Sequence, residues 1–329
     1  MLRSSSVMRT TPRGFSLVEL LIVMAIIATL VALLAPAVQS SRESGRRSSC
    51  QSNLRQIGLA LLSYEGTNQT FPIGAHRNGT FGPSWWVLIL PQIGEPELYS
   101  RFDLKGAGNG SAVFHAQNRK LINGVLIPSM LCPSSPLPTF WSVNGAMVLM
   151  PSYVGNSGAS NYDDFPETRV SVCCTPKEDG EISAGGVLIS NRSLRLREMT
   201  DGTSKILAVG ETSDFVFNQA GTPFRIDGGF PEGWITGTSA PGIPPTYGTS
   251  FAPPSWNITT LRYGPNTRNY ELPGIYTDRG ANNPFVSAHE GGVNGLNVDG
   301  SVSFITDEVD LRCLKCLVTR DDGQTNSVQ

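Results

Sequence analysis

Three histidines, six cysteines and one acid set inside an apolar run are the residues of this 329-residue chain with the types and spacing to do chemistry. His289 is followed by nine residues and then Asp299-Gly300, in the frame SAHEGGVNGLNVDGSVSFI. Asp-Gly between alternating apolar residues is a strong hairpin signal, so His289 and Asp299 could meet across the hairpin base. As a pair they offer an imidazole and a carboxylate to a ligand or metal. As structure they are a loop histidine and an aspartate chosen for turn chemistry. Cys313 and Cys316 lie one helical turn apart, the spacing of redox and metal motifs, and Cys173-Cys174 supplies two further thiols. The four fit a thiolate zinc site, a disulfide between the two clusters, or plain thiols. Adjacent cysteines ligate one ion poorly, which weighs against the zinc site.

Other chemistries find no residues. Three histidines fit a His-based zinc hydrolase badly. Around Asp201-Gly202-Thr203-Ser204 the Gly-x-x-x-x-Gly-Lys spacing is missing, and no Gly-x-Ser-x-Gly elbow occurs. The sequence therefore predicts no catalytic residues, no cofactor and no metal ligand, and a protein that is not an enzyme. A net charge of −2 offers no basic face for nucleic acid.

Glu19 is the most informative acid. It stands four residues into the apolar run Phe15–Ala35, FSLVELLIVMAIIATLVALLA, which is long enough to span a bilayer as a helix. A carboxylate in hydrocarbon costs on the order of 2.5–3.5 kcal/mol, so it is either wetted at the interface, paired or functional. Arg3, Arg9 and Arg13 precede the run, which puts the N-terminus in the cytoplasm and the rest of the chain outside. The run exceeds a secretory h-region and lacks an A-x-A-like site after it.

The string Gly14-Phe15-Ser16-Leu17-Val18-Glu19-Leu20 resembles the cleavage and methylation site of type IV prepilins and type II secretion pseudopilins. That resemblance implies a prepilin peptidase that cuts after Gly14 and methylates the new amino terminus at Phe15. A residue without Cβ suits close approach to the backbone. It also implies that Glu19 pairs with the amino terminus of a neighbouring subunit and sets the axial register of a helical assembly.

The elements that position these residues divide the chain into a leader (1–14), a transmembrane helix (15–35), a continuing amphipathic helix (36–64), a β-rich domain (65–320) and a flexible tail (321–329). Pro36 should kink or locally unwind the helix. Beyond it, Cys50, Leu54, Ile57, Leu61 and Tyr64 share one face that packs on the domain, with Arg42, Glu43, Arg46 and Arg47 solvated. Short strands are expected at Ser152–Asn156, Gly186–Ile189 and Lys205–Glu211, then a hairpin at 293–305 and a helix over Asp307–Leu317. Residues 231–273 read as a long Pro- and Gly-rich loop. The expected fold is α+β, a pilin-like lollipop with a long helix on a β-rich head.

From Gly14 to about Gly323 the chain resembles the DUF1559 family, abundant in planctomycetes and prepilin-type, whose signature is H-X9-DG. Here the signature is carried by His289, Asp299 and Gly300. Further matching stretches include Cys50 through Gly58, Trp85 through Pro91, Leu131-Cys132-Pro133-Ser134, Ser152 through Asn156 and Arg197 through Glu211. Cys173-Cys174 and Cys313-Leu314-Lys315-Cys316 depart from the family pattern. Its likeness to pseudopilins, which can bind calcium through C-terminal loops, makes Asp299, Asp307 and Asp310 possible oxygen ligands, though without EF-hand spacing. Two functions follow. One is a structural subunit of a type II secretion or type IV pilus-like assembly in the inner membrane, with a periplasmic domain and pilin or pseudopilin partners. The other is a membrane-tethered module presenting Trp85, Trp86, Trp234 and Trp256 to polysaccharide or a protein.

Overall fold

Hydrophobicity on every side drives the first part of α1 and a one-sided stripe the second, and a single helix, Leu17–Asn68, carries both. The computed structural model describes residues 16–105, 110–162, 165–173, 180–246, 255–277 and 280–323. The chain forms two compact units, divided between Gly45 and Arg46. In the first unit the apolar side chains are exposed, from Leu17 at 85% to Val23 at 45%. Pro36 does not unwind the helix, which continues through it. Proline withdraws one donor, and the ladder resumes on either side.

In the second unit, Cys50, Leu54, Ile57, Gly58, Ala60 and Leu61 of α1 are buried, as the stripe requires, with Tyr64 partly buried beside them. The arginines are less uniform than expected. Arg46 donates to Ser134 Oγ at 3.2 Å, and the Arg47 guanidinium lies 3.5 Å from the centre of the Phe304 ring. The flat cation stacks where a solvated face was expected, because the apolar hairpin passes beneath it.

Five strands build the central sheet: β1 (Tyr153–Ala159), β2 (Leu207–Glu211), β3 (Ile258–Leu261), β4 (Gly292–Asn297) and β5 (Val302–Thr306). Their order is β3-β1-β2-β4-β5, with β3 parallel to β1 and all other pairs antiparallel. Side chains alternate across the pleat and feed two cores. Tyr153 and Leu296 pack with α1, whereas Val154, Val293 and Ile305 pack with helix α2, Leu311–Leu317. Coverage on both faces explains why β1, β2, β3 and β4 read as nearly unbroken buried runs.

Two expected elements differ. Gly186–Ile189 is buried but is not a strand. The amides of Val187 and Leu188 both donate to the single carbonyl of Asn156, at 3.1 and 2.9 Å, so the segment crosses β1 instead of running beside it. The expected loop over 231–273 contains β3, whose Ile-Thr-Thr-Leu run pairs with β1 from Ile258 opposite Gly155. Trp85, Trp86 and Trp234 are fully buried and Trp256 is 9% exposed, so these four rings belong to the interior and present no aromatic surface. The outcome is an α+β fold of pilin-like architecture, a long N-terminal helix with a mixed sheet.

Candidate functional site

Ser16 caps α1 through its hydroxyl, and Glu19 reaches back to the Ser16 amide. The Val18 amide donates to Ser16 Oγ at 3.3 Å, and the Ser16 amide donates to Glu19 Oε2 at 2.9 Å. The sequence Ser16-Leu17-Val18-Glu19 is a capping signature, and it lies within the string that resembles a prepilin processing site. Glu19 is exposed, and its carboxylate already serves a backbone amide at a helix N-terminus, where negative charge is favoured. Gly14 and Phe15 lie outside the described residues.

A second site is wholly buried. Cys50 comes from α1, Cys132 follows the turn Pro128–Met130, Glu211 ends β2, and His289 lies just before β4. Cys50 and Cys132 form a disulfide with Cα atoms 5.1 Å apart, across 82 residues. Closing a loop of that length removes roughly 4–5 kcal/mol of denatured-state freedom in the chain-entropy account. His289 Nε2 lies 3.4 Å from Cys132 Sγ and 3.6 Å from Glu211 Oε1. The carboxylate is held from behind: Ser213 Oγ donates to Oε1 at 2.7 Å, and the amide and side chain of Asn294 donate to Oε2 at 3.1 and 2.9 Å. Ser213 Oγ in turn accepts the Ala288 amide at 3.1 Å. Tyr153 donates to the Cys50 carbonyl at 3.3 Å, and burial, reinforced by the Glu211 charge, holds its phenol well above the ordinary value.

The signature residues are placed apart. His289 joins the buried cluster before β4, whereas Asp299 lies in the turn after it, where its Oδ1 accepts from the Ser301 amide and hydroxyl at 2.9 and 2.6 Å. The contact across the hairpin base does not form, because a six-residue strand, about 20 Å at 3.3 Å per residue, separates them. Nor do Asp299 and Gly300 form the two-residue type I′ turn that Asp-Gly favours. Only Gly300 of the pair has positive φ, +85°, and the Gly300 amide donates to the Asn297 carbonyl at 3.0 Å. That is a three-residue loop closed by a left-handed glycine. Its backbone touches α1: a Cβ built on Gly58 would lie 3.0 Å from Gly300 Cα, so glycine is needed on the helix for this approach.

The remaining candidates are dispersed. Asp307 accepts from Asn266 at 2.6 Å and Asp310 caps α2 through the Cys313 amide at 3.0 Å, so each aspartate, like Asp299, serves its own turn or neighbour. Cys313 and Cys316 are thiols outside any disulfide. Cys173 is disulfide-bonded and its partner is neither of them, so of the alternatives the bridge between the two clusters is not made. Cys174 lies outside the described residues. Sequence reasoning placed Cys50 on the packing stripe and Glu211 in a strand, and overlooked their convergence with Cys132 and His289. The available signal was that these residues fall within family-like stretches and carry chemistry.

Over residues 39–312 the chain matches the family described as a protein of unknown function (DUF1559). Over residues 9–35 it matches the prokaryotic N-terminal methylation motif. No curated protein and no solved structure matches it.

Proposed function

This chain is a prepilin-like member of the DUF1559 family, and we propose that it is a structural subunit of a type II secretion or type IV pilus-like assembly. One observation carries the reading. Residues 17–34 form a helix long and apolar enough to cross a membrane, with exposed apolar side chains and a single carboxylate in its first turn. A helix apolar all round needs lipid or other helices as its surroundings.

On this proposal a prepilin peptidase cuts after Gly14 on the cytoplasmic side and methylates Phe15, and the domain from Arg46 faces the periplasm. Removal of the leader frees a positive amino terminus at Phe15, four residues before Glu19 in the chain. The carboxylate of one subunit serves the amine of the next. That exchange trades an intrachain bond from a neutral amide for one from a cation, so that both partners are charged. The domain's role is binding and assembly, not catalysis. The alternative tether loses the tryptophan surface on which it rested.

Two substitutions separate anchor from assembly. Glu19→Gln keeps an acceptor for the Ser16 amide but removes the charge, and Glu19→Val removes both. Membrane insertion should persist in each, while cross-linking between subunits through the helix should fall sharply in each. Unchanged cross-linking would make the helix an anchor only. N-terminal mass analysis should find Phe15 methylated; Met1 retained, or a cut beyond Ala35, would remove the pilin reading.

A further inference from the structure

A structural disulfide needs no imidazole and no carboxylate, yet Cys50–Cys132 has both. Among the described residues, Cys50, Cys132, Glu211 and His289 are the one group of potential metal donors that converge, with donor atoms all within 4.8 Å of one another. We propose that the reduced form of this cysteine pair, with His289 and Glu211, is a tetrahedral site for a zinc-class divalent cation. The cation then replaces the disulfide as the cross-link between α1 and the segment after Pro128–Met130, and ties both to Glu211 of the sheet.

The donor set is what such an ion takes: two thiolates, one imidazole nitrogen and one carboxylate oxygen. With bonds of about 2.3 Å to sulfur and about 2.0 Å to nitrogen and oxygen, the edges of the tetrahedron are roughly 3.3–3.8 Å. The distances from His289 Nε2 to Cys132 and to Glu211, 3.4 and 3.6 Å, already fall there. The sulfurs must part by roughly 1.7 Å from a covalent S–S bond to the tetrahedral edge. Glu211 is oriented as metal-binding carboxylates are, by the Ser213 hydroxyl and by both donors of Asn294. A cleft of about 210 Å³ opens beside Cys132, lined by Leu131, Pro133, Leu137 and Met150.

The chemistry balances. A phosphine reductant takes up oxygen from water and leaves two thiols from the disulfide. The cation then displaces one proton from each thiol to solvent, while Glu211 binds as the carboxylate and His289 as the neutral imidazole. Two thiolates and one carboxylate around a dication leave one net negative charge, which faces the three hydrogen-bond donors on Glu211.

The test uses the full chain in detergent, either disulfide-bonded or phosphine-reduced without oxygen, with folding followed by circular dichroism. Zinc is measured by elemental analysis after dialysis, and cobalt(II) serves as the spectroscopic probe. The reduced chain should hold one equivalent of zinc and the oxidised chain none. Cobalt(II) should give thiolate charge-transfer and intense tetrahedral d–d bands. Cys132→Ser should abolish loading, His289→Ala and Glu211→Gln should each weaken it at least tenfold, and Cys313→Ser/Cys316→Ser should leave it intact. A folded, reduced chain that takes up no metal, binds cobalt octahedrally, or loses binding with Cys313 and Cys316 overturns the site. These readouts on the parent and the double serine variant decide the matter even if His289→Ala does not fold.

Discussion

Residues 17–34 and 50–61 belong to the same helix, yet the first stretch leaves its apolar side chains exposed and the second buries a single stripe completely. Their hydrogen-bond ladder is the same, so helix formation does not sort them. What differs is periodicity. Apolar residues on all sides fit a lipid or helical surrounding, whereas Cys50, Leu54, Ile57 and Leu61, set on one face, address one sheet. Chemistry is divided in the same way: the first stretch has one exposed carboxylate, the second delivers Cys50 to a buried cluster.

The largest test of that contrast pairs two truncations. Leu54→Ala removes a fully buried side chain and should cost about 2–5 kcal/mol in denaturant unfolding of the domain. Leu30→Ala, at a 54% exposed position, should leave the same transition unmoved. A domain destabilised equally by both would mean that the first stretch also packs on it.

Next comes the contact between helix and hairpin. Gly300→Val puts a β-branched residue at φ +85° and a Cβ 3.2 Å from Leu62 Cδ1. A left-handed L-residue costs roughly 1–2 kcal/mol before crowding, so about 2 kcal/mol of destabilisation is expected by the same unfolding measurement. A variant that melts like the parent would refute the left-handed turn and its seat against α1.

Much of this architecture was legible because it is local. The apolar run, the helical stripe and the strands around Asp299-Gly300 are each fixed by neighbours in sequence. What escaped was non-local or hidden in composition. β3 lies among prolines and glycines and pairs in parallel with a strand about a hundred residues away, so no local alternation announces it. The Asp299-Gly300 hairpin signal stands out in the sequence, whereas Asn144-Gly145 goes unnoticed there although both its residues take positive φ, 48° and 82°, between Val143 and Ala146. His289, Cys132, Glu211 and Cys50 lie on four separate segments, and only folding brings them within reach. The methylation motif around Glu19 was readable, but the part Glu19 and Ser16 play in capping the helix needed geometry.

Helix caps give a smaller measure of the same division. Asp310 accepts the Cys313 amide at the start of α2, whose Leu314 and Leu317 are buried in the core. Asp310→Ala should cost about 1 kcal/mol of domain stability. Ser16→Ala removes the cap of a helix end in the other unit and should leave the domain transition where it was. A shift on Ser16→Ala as large as that on Asp310→Ala would couple the two units in stability.

The smallest effect is a pH dependence, and it too belongs to the domain. Burial lowers the pKa of His76, in the strand Ala75–Asn78, below its ordinary value of 6.5. The folded state then binds fewer protons at this site than the unfolded chain, so stability rises with pH across the interval. The contribution is fully present above about pH 6.5 and is lost as pH falls through the lowered, folded value. Melting temperatures of the parent should therefore fall as pH drops from 7 towards 5, and His76→Gln should flatten part of that slope because its side chain cannot take up the proton. The comparison is between slopes, since other groups titrate in both proteins. If the two slopes coincide, burial of His76 does not resist its protonation, and the acid sensitivity of the domain arises elsewhere.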